Sequence, residues 1–179
     1  MNKWDKTIDQ ITQECIFQFG ELSEDLLNWK PNQKSWSIAQ NIDHLIKINQ
    51  SYFPIIEDLK AGSYKPPFTA KMGFMVSLFG NMILKSVDPK NRKKVETFAI
   101  WQPGQSHFSK DILIVFQSHQ NELKKQIKSC KEQIKNGDVI HSPANKNIVY
   151  KLETAFDIIV LHEQRHMQQA REILLIMDN

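Results

Sequence analysis

The chain has 179 residues, 41% hydrophobic and 24% charged, the proportions of a soluble globular protein long enough for one domain with a sizeable core. A net charge of +3 is too small to argue for a nucleic-acid partner by itself. Two cysteines, Cys15 and Cys130, make no disulfide framework; both fall at apolar positions of predicted helices and read as buried free thiols, as in a reducing cytoplasm.

The first predicted helix runs from about Lys3 to Asn28. Trp4, Ile8, Ile11, Cys15, Phe19, Leu22 and Leu26 recur at spacings of three and four, an amphipathic stripe. Pro31 ends it, because the residue before a proline disfavours helix. No apolar run of a secretory signal precedes it. The second helix begins near Ser37, where Ser37 and Gln40 have the spacing of a capping box. Its stripe is Ile38, Ile42, Leu45, Ile48, Tyr52, Ile56 and Leu59; Pro54 is expected to kink it and Gly62 to stop it.

From Ser63 to Ser106 the pattern is least regular. Pro66-Pro67 breaks the chain, Phe68 to Leu84 predicts one short helix, Asp88 to Lys94 a polar basic turn, and Phe98 to Gly104 an extended segment. The apolar stretch Phe74 to Leu84 is too short to span a bilayer. A connection of this length with apolar content is expected to cover the bundle and wall a site. The basic run Lys90 to Lys94 reads as a solvated loop, with a phosphate or acidic thiol cofactor as its alternative occupant. The third helix is predicted over about His107 to Asn136, closed by Gly137, and the fourth over about Lys151 to Met177, with a polar loop and no clear strands between them. Four long amphipathic helices with one long crossover predict an all-α four-helix bundle, a single domain over 1–179.

On the fourth helix His162 and His166 are four residues apart and fall in the middle of the arc made by Leu152, Ala155, Ile159, Ala170 and Ile173. Two buried polar rings are costly unless coordinated or hydrogen-bonded. A single inward histidine reads as a satisfied core residue; an inward i, i+4 pair points to a metal. His44, at the edge of the apolar face of the second helix beside Asn41, is the best third ligand. Three neutral imidazoles suit zinc, nickel or iron and leave positions open for water or substrate. His119 lies on the stripe of the third helix and reads as a core histidine, with a ligand or supporting role as the lesser alternative. His107 and His141 fall near loops and are expected in solvent. His162-Glu163-Gln164-Arg165-His166 also matches the H-E-x-x-H pattern of zinc proteases. Only thirteen residues follow His166, which leaves no room for a further downstream ligand helix, so a protease is not expected. Glu163 flanks the inward arc, as a general base, as an orienter of metal-bound water, or as a solvated helix charge.

Trp36-Ser37-Ile38-Ala39-Gln40-Asn41-Ile42-Asp43-His44-Leu45 and His162-Glu163-Gln164-Arg165-His166-Met167-Gln168-Gln169 together resemble the second- and fourth-helix signatures of the DinB/YfiT-like superfamily. The order, the length and the long connection agree, so the resemblance covers almost the whole chain. It implies an up-down-down-up bundle with a long helix 2–helix 3 crossover, often a homodimer. It implies a divalent metal held by three histidines, which map onto His44, His162 and His166. Members of known activity include metal-dependent hydrolases and transferases using low-molecular-weight thiols such as bacillithiol or mycothiol. The expectation is therefore a cytoplasmic, metal-dependent thiol S-transferase or hydrolase acting on a small molecule, with Glu163 as candidate catalytic group and no nucleic-acid or membrane partner. The competing expectations are a non-catalytic metal-binding or stress-response bundle, and a metal-free helical dimer.

Overall fold

The computed structural model describes residues 2–91, 93 and 96–177. Its helices are α1 (Asp5–Phe19), α2 (Glu24–Asn28), α3 (Ile38–Lys60), α4 (Gly73–Val87), α5 (Ile112–Ser129), α6 (Lys131–Asn136) and α7 (Leu152–Met177). A two-stranded antiparallel hairpin, β1 (Val139–Ser142) and β2 (Asn145–Lys151), precedes α7. The long helices α1, α3, α5 and α7 pack against one another, and α4 lies across α7 and β2. Among the described residues no helix is long and apolar enough to cross a membrane.

The all-helical expectation holds in its main part, with four differences. The first predicted helix is two: α1 stops at Phe19, and Ser23 restarts the chain by capping the backbone N–H of Leu26. The break shifts the inward face by one residue, so Leu26, expected on the stripe, is 42% exposed and Leu27 is buried instead. The third helix starts later, at Ile112, and divides at Cys130. The segment Phe68 to Leu84 divides too, into a 3-10 turn over Phe68–Lys71 and α4. The polar loop before α7 is the hairpin, in which Ile140, Val149 and Tyr150 are buried. His141 lies on β1, half-buried, rather than in a solvent loop.

The second helix begins as expected. Ser37 accepts from the Gln40 backbone N–H and Gln40 Oε1 accepts from the Ser37 N–H, a complete capping box. Gly62 and Gly137 both follow helices at positive φ, 70° and 72°, where a side chain would be strained. Part of the basic turn expected up to Lys94 lies outside the described residues, at Arg92 and Lys94.

Phe156 is fully buried against Trp4, edge to face at 5.4 Å, whereas Phe17 is 88% exposed. Phe156→Ala is expected to cost about 3–5 kcal/mol and Phe17→Ala less than about 0.5 kcal/mol, read from urea unfolding midpoints.

Candidate metal centre

The capping box fixes where α3 starts, and with it the residues on its first two turns. Asn41 donates its side-chain N–H back to the Ser37 carbonyl at 2.9 Å, so its Oδ1 is the free acceptor. That oxygen meets His166 Nδ1 at 2.7 Å. His166 must therefore carry its proton on Nδ1, leaving the Nε2 lone pair free. One turn on, His44 Nδ1 lies 2.7 Å from the carbonyl oxygen of Trp101. A carbonyl only accepts, so His44 also holds its proton on Nδ1. Its Nε2 is buried and has no hydrogen-bond partner among the described residues; the same is true of His162 Nδ1.

His44, His162 and His166 each offer one ring nitrogen, and these nitrogens lie within 4.8 Å of one another. The ring centres are 4.4 to 5.1 Å apart. Trp36 covers the cluster from one side, 4.7 Å from His44 and stacked 5.9 Å from His166. Burial holds all three imidazoles below the usual histidine range, His44 at about 4 and the other two well below their ordinary value. Neighbouring histidines and the Arg165 charge push His162 and His166 further down. They are neutral at pH 7, the form that ligates. Neutral rings, with outer nitrogens bonded on two of them and buried lone pairs without partners, are a donor set that fits a divalent transition ion.

A strap over residues 99–105, where an extended segment was expected, makes a short 3-10 turn at Ala99–Trp101 and crosses α3 beside the histidines. Besides the Trp101 carbonyl, it is tied down by Trp101 Nε1 to Ser51 Oγ (3.1 Å), Lys47 Nζ to the Gln102 carbonyl (3.0 Å), the Gly104 N–H to Asp43 Oδ2 (3.0 Å) and Gln40 Nε2 to the Gln105 carbonyl (3.2 Å).

Glu163 follows His162 in sequence but its carboxylate is fully buried between α3 and α5. Asn49 Nδ2 donates to one oxygen at 2.7 Å and Gln120 Nε2 to the other at 3.0 Å. Burial raises its pKa to about 7, against the pull of the two amides. His119 is a buried core residue stacked on Phe53 at 5.7 Å. His107 is exposed and pairs with Glu24. Cys15 and Cys130 are buried free thiols, Cys15 pushed up to about 12 by burial and so no nucleophile.

The residues that sequence reasoning missed are the supports. Asn41 had a signal, a carboxamide on an apolar helix face one turn before His44. The Trp101 carbonyl had none, since every residue carries one.

His119 gives the metal-free protein an acid limit. Burial lowers its pKa to about 4, against 6.5 in the unfolded chain. The unfolded chain takes the proton first, so this contribution, worth about 3 kcal/mol, is complete above pH 6.5 and lost as pH falls to 4. His119→Leu is expected to lessen the dependence of urea stability on pH across that window by about this amount, the part owed to His44, His162 and His166 remaining.

A model of the DinB superfamily matches residues 8–170. No curated protein and no solved structure matches the chain. The match runs through both histidine-bearing helices and the strap between them, and the chain belongs to the DinB superfamily.

Proposed function

We propose that this protein is a metal-dependent enzyme in which His44, His162 and His166 hold a divalent ion of zinc, nickel or iron type. The proposed reaction is transfer of a low-molecular-weight thiol to a small electrophile, or hydrolysis. The observation that carries the reading is the convergence of three imidazoles, with His44 Nε2 and His162 Nδ1 buried without partners and the His44 and His166 rings held through their Nδ1 atoms by the Trp101 carbonyl and Asn41. The family's up-down-down-up helix order and homodimer belong to the same proposal.

A bound divalent ion supplies one thing here, a lowered pKa for a water or thiol near neutral pH. The chain supplies the rest. Asn41 and the Trp101 carbonyl fix two rings in the ligating tautomer. Trp36 and the strap shield the rings from bulk water. Glu163 is the proposed proton acceptor: an ionisation near pH 7 suits that task, and Asn49 and Gln120 are the groups that would rearrange as a proton arrives.

Elemental analysis of untagged protein tests the ligand set. Near-stoichiometric metal in the wild type and none in His162→Ala/His166→Ala is the expected result; no metal in either, with no uptake of added zinc, nickel, iron or manganese, sinks the reading. Asn41→Ala is expected to weaken metal affinity about 10–100-fold in chelator competition, because the His166 ring loses its anchor. Turnover of a reactive electrophile is expected to require both metal and thiol. If Glu163 accepts the proton, Glu163→Gln lowers that turnover at least about 100-fold at unchanged metal content. A loss of stability alone would assign it to packing.

A further inference from the structure

We propose that the outer face of α4, with the 3-10 turn before it, docks on an anionic lipid surface. α4 is mostly apolar, with Ser77, Asn81 and Lys85 as the polar positions of its exposed side, and it leaves large apolar side chains on that side too. Its inner face is accounted for. Val76 and Gly80 are buried, and Ile83, Leu84 and Val87 pack on the core. A Cβ at Gly80 would come within 3.2 Å of the Thr154 methyl, so glycine lets α4 lie close on α7. Its outer face has no cover among the described residues. Phe74 is 64% exposed, Leu78 56% and Met82 48%, and Phe68 in the preceding turn is 75% exposed. Phe74, Leu78, Met82 and Lys85 fall within about 80° of one another around the helix, a ridge about 12 Å long from Phe74 to Met82.

Charge selects the partner. Residues 65–95 carry seven Lys and Arg against the single Asp88, a net of +6 in a chain of +3, so the remainder carries −3. The modest overall charge hides this separation, and the expectation of no membrane partner rested on the Phe74 to Leu84 stretch being too short to span a bilayer, which does not bear on docking at its surface. Lys65, Lys71, Lys85, Lys90 and Lys93 are exposed. The turn after α4 is held in place by Arg165, which donates to the carbonyls of Ser86, Asp88, Asn91 and Lys93. A second copy packed on the same face would set two such segments against each other, because a two-fold interface uses one patch twice. An anionic bilayer satisfies both features. The ridge enters the boundary between headgroups and acyl chains, and the lysines meet phosphates.

The test is co-sedimentation of the full chain with vesicles of phosphatidylcholine alone and of phosphatidylcholine mixed equally with phosphatidylglycerol. Binding is expected only to the mixed vesicles. It should fall as ionic strength rises from about 0.1 M to about 1 M, where the Debye length shrinks from about 10 Å to about 3 Å. Lys71→Gln/Lys85→Gln is expected to lower partitioning about 25-fold, near fivefold per lysine. Phe74→Ser/Leu78→Ser should abolish it at an unchanged melting midpoint, since both side chains are exposed. The proposal is overturned if mixed vesicles fail to bind at low salt, or if both double variants bind like wild type. It is equally overturned if light scattering shows a dimer that Phe74→Ser/Leu78→Ser dissolves while vesicles stay unbound; a second copy would then cover the ridge.

Discussion

The Asn41 carboxamide joins the start of one bundle helix to the middle of another, and the histidine cluster depends on it. Its N–H end is fixed on the Ser37 carbonyl, in the same turn that the capping box defines. Its oxygen end therefore has one orientation, and His166 is bound in one tautomer. An asparagine inside a helix often competes with the backbone; here it bonds back four residues and turns its remaining acceptor to α7. The local rule that starts α3 and the ring orientation on a helix more than a hundred residues later are thus one hydrogen-bonded chain.

The core that carries this cluster holds a second polar layer. Glu163 is buried with its two oxygens on Asn49 and Gln120, so α3, α5 and α7 are tied by a carboxylate where aliphatic packing would serve for cohesion alone. Burying a carboxylate is costly, and the two amides offset only part of that cost, which is why its pKa rises to about 7. Replacing such a layer by apolar residues of similar volume is commonly neutral or stabilising. Cohesion therefore does not explain the layer, whereas the proton-accepting role proposed for Glu163 needs a carboxylate that apolar packing could not supply.

The cluster was legible because a helix turns spacing into direction. His162 and His166 share a face at any i, i+4 spacing, and the arc of Leu152, Ala155, Ile159, Ala170 and Ile173 shows that the face is inward. The capping box made the start of α3 equally plain. What escaped follows from the same physics. At Cys130 the apolar stripe runs on through Ile134, and at Gly20 the adjacent leucines Leu26 and Leu27 let the pattern be read through in the wrong phase, with Leu26 inward where Leu27 is buried. The hairpin strands are four and seven residues long with polar ends, too short for alternation to stand out. The strap acts largely through backbone carbonyls and one backbone N–H, which composition does not distinguish. The inward face of Glu163 was half visible from its position on the arc, but the amides it meets come from two other helices.

The donor set also constrains what can occupy the remaining coordination positions. Three neutral imidazoles subtract nothing from the double positive charge of a divalent ion, unlike thiolate or carboxylate ligands. A buried site with that much uncompensated charge favours an anion as its next ligand. Among the described residues, the carboxylates adjacent in sequence to the histidines have other partners: Asp43 has Lys47 and the Gly104 N–H, and Glu163 has Asn49 and Gln120. If His44, His162 and His166 held such an ion, the anion would be supplied from outside the chain, by a water or a thiol giving up its proton. Both are the nucleophiles of the proposed chemistry, so three neutral imidazoles would carry the electrostatic demand on which that chemistry rests, with Glu163 left to take up the proton.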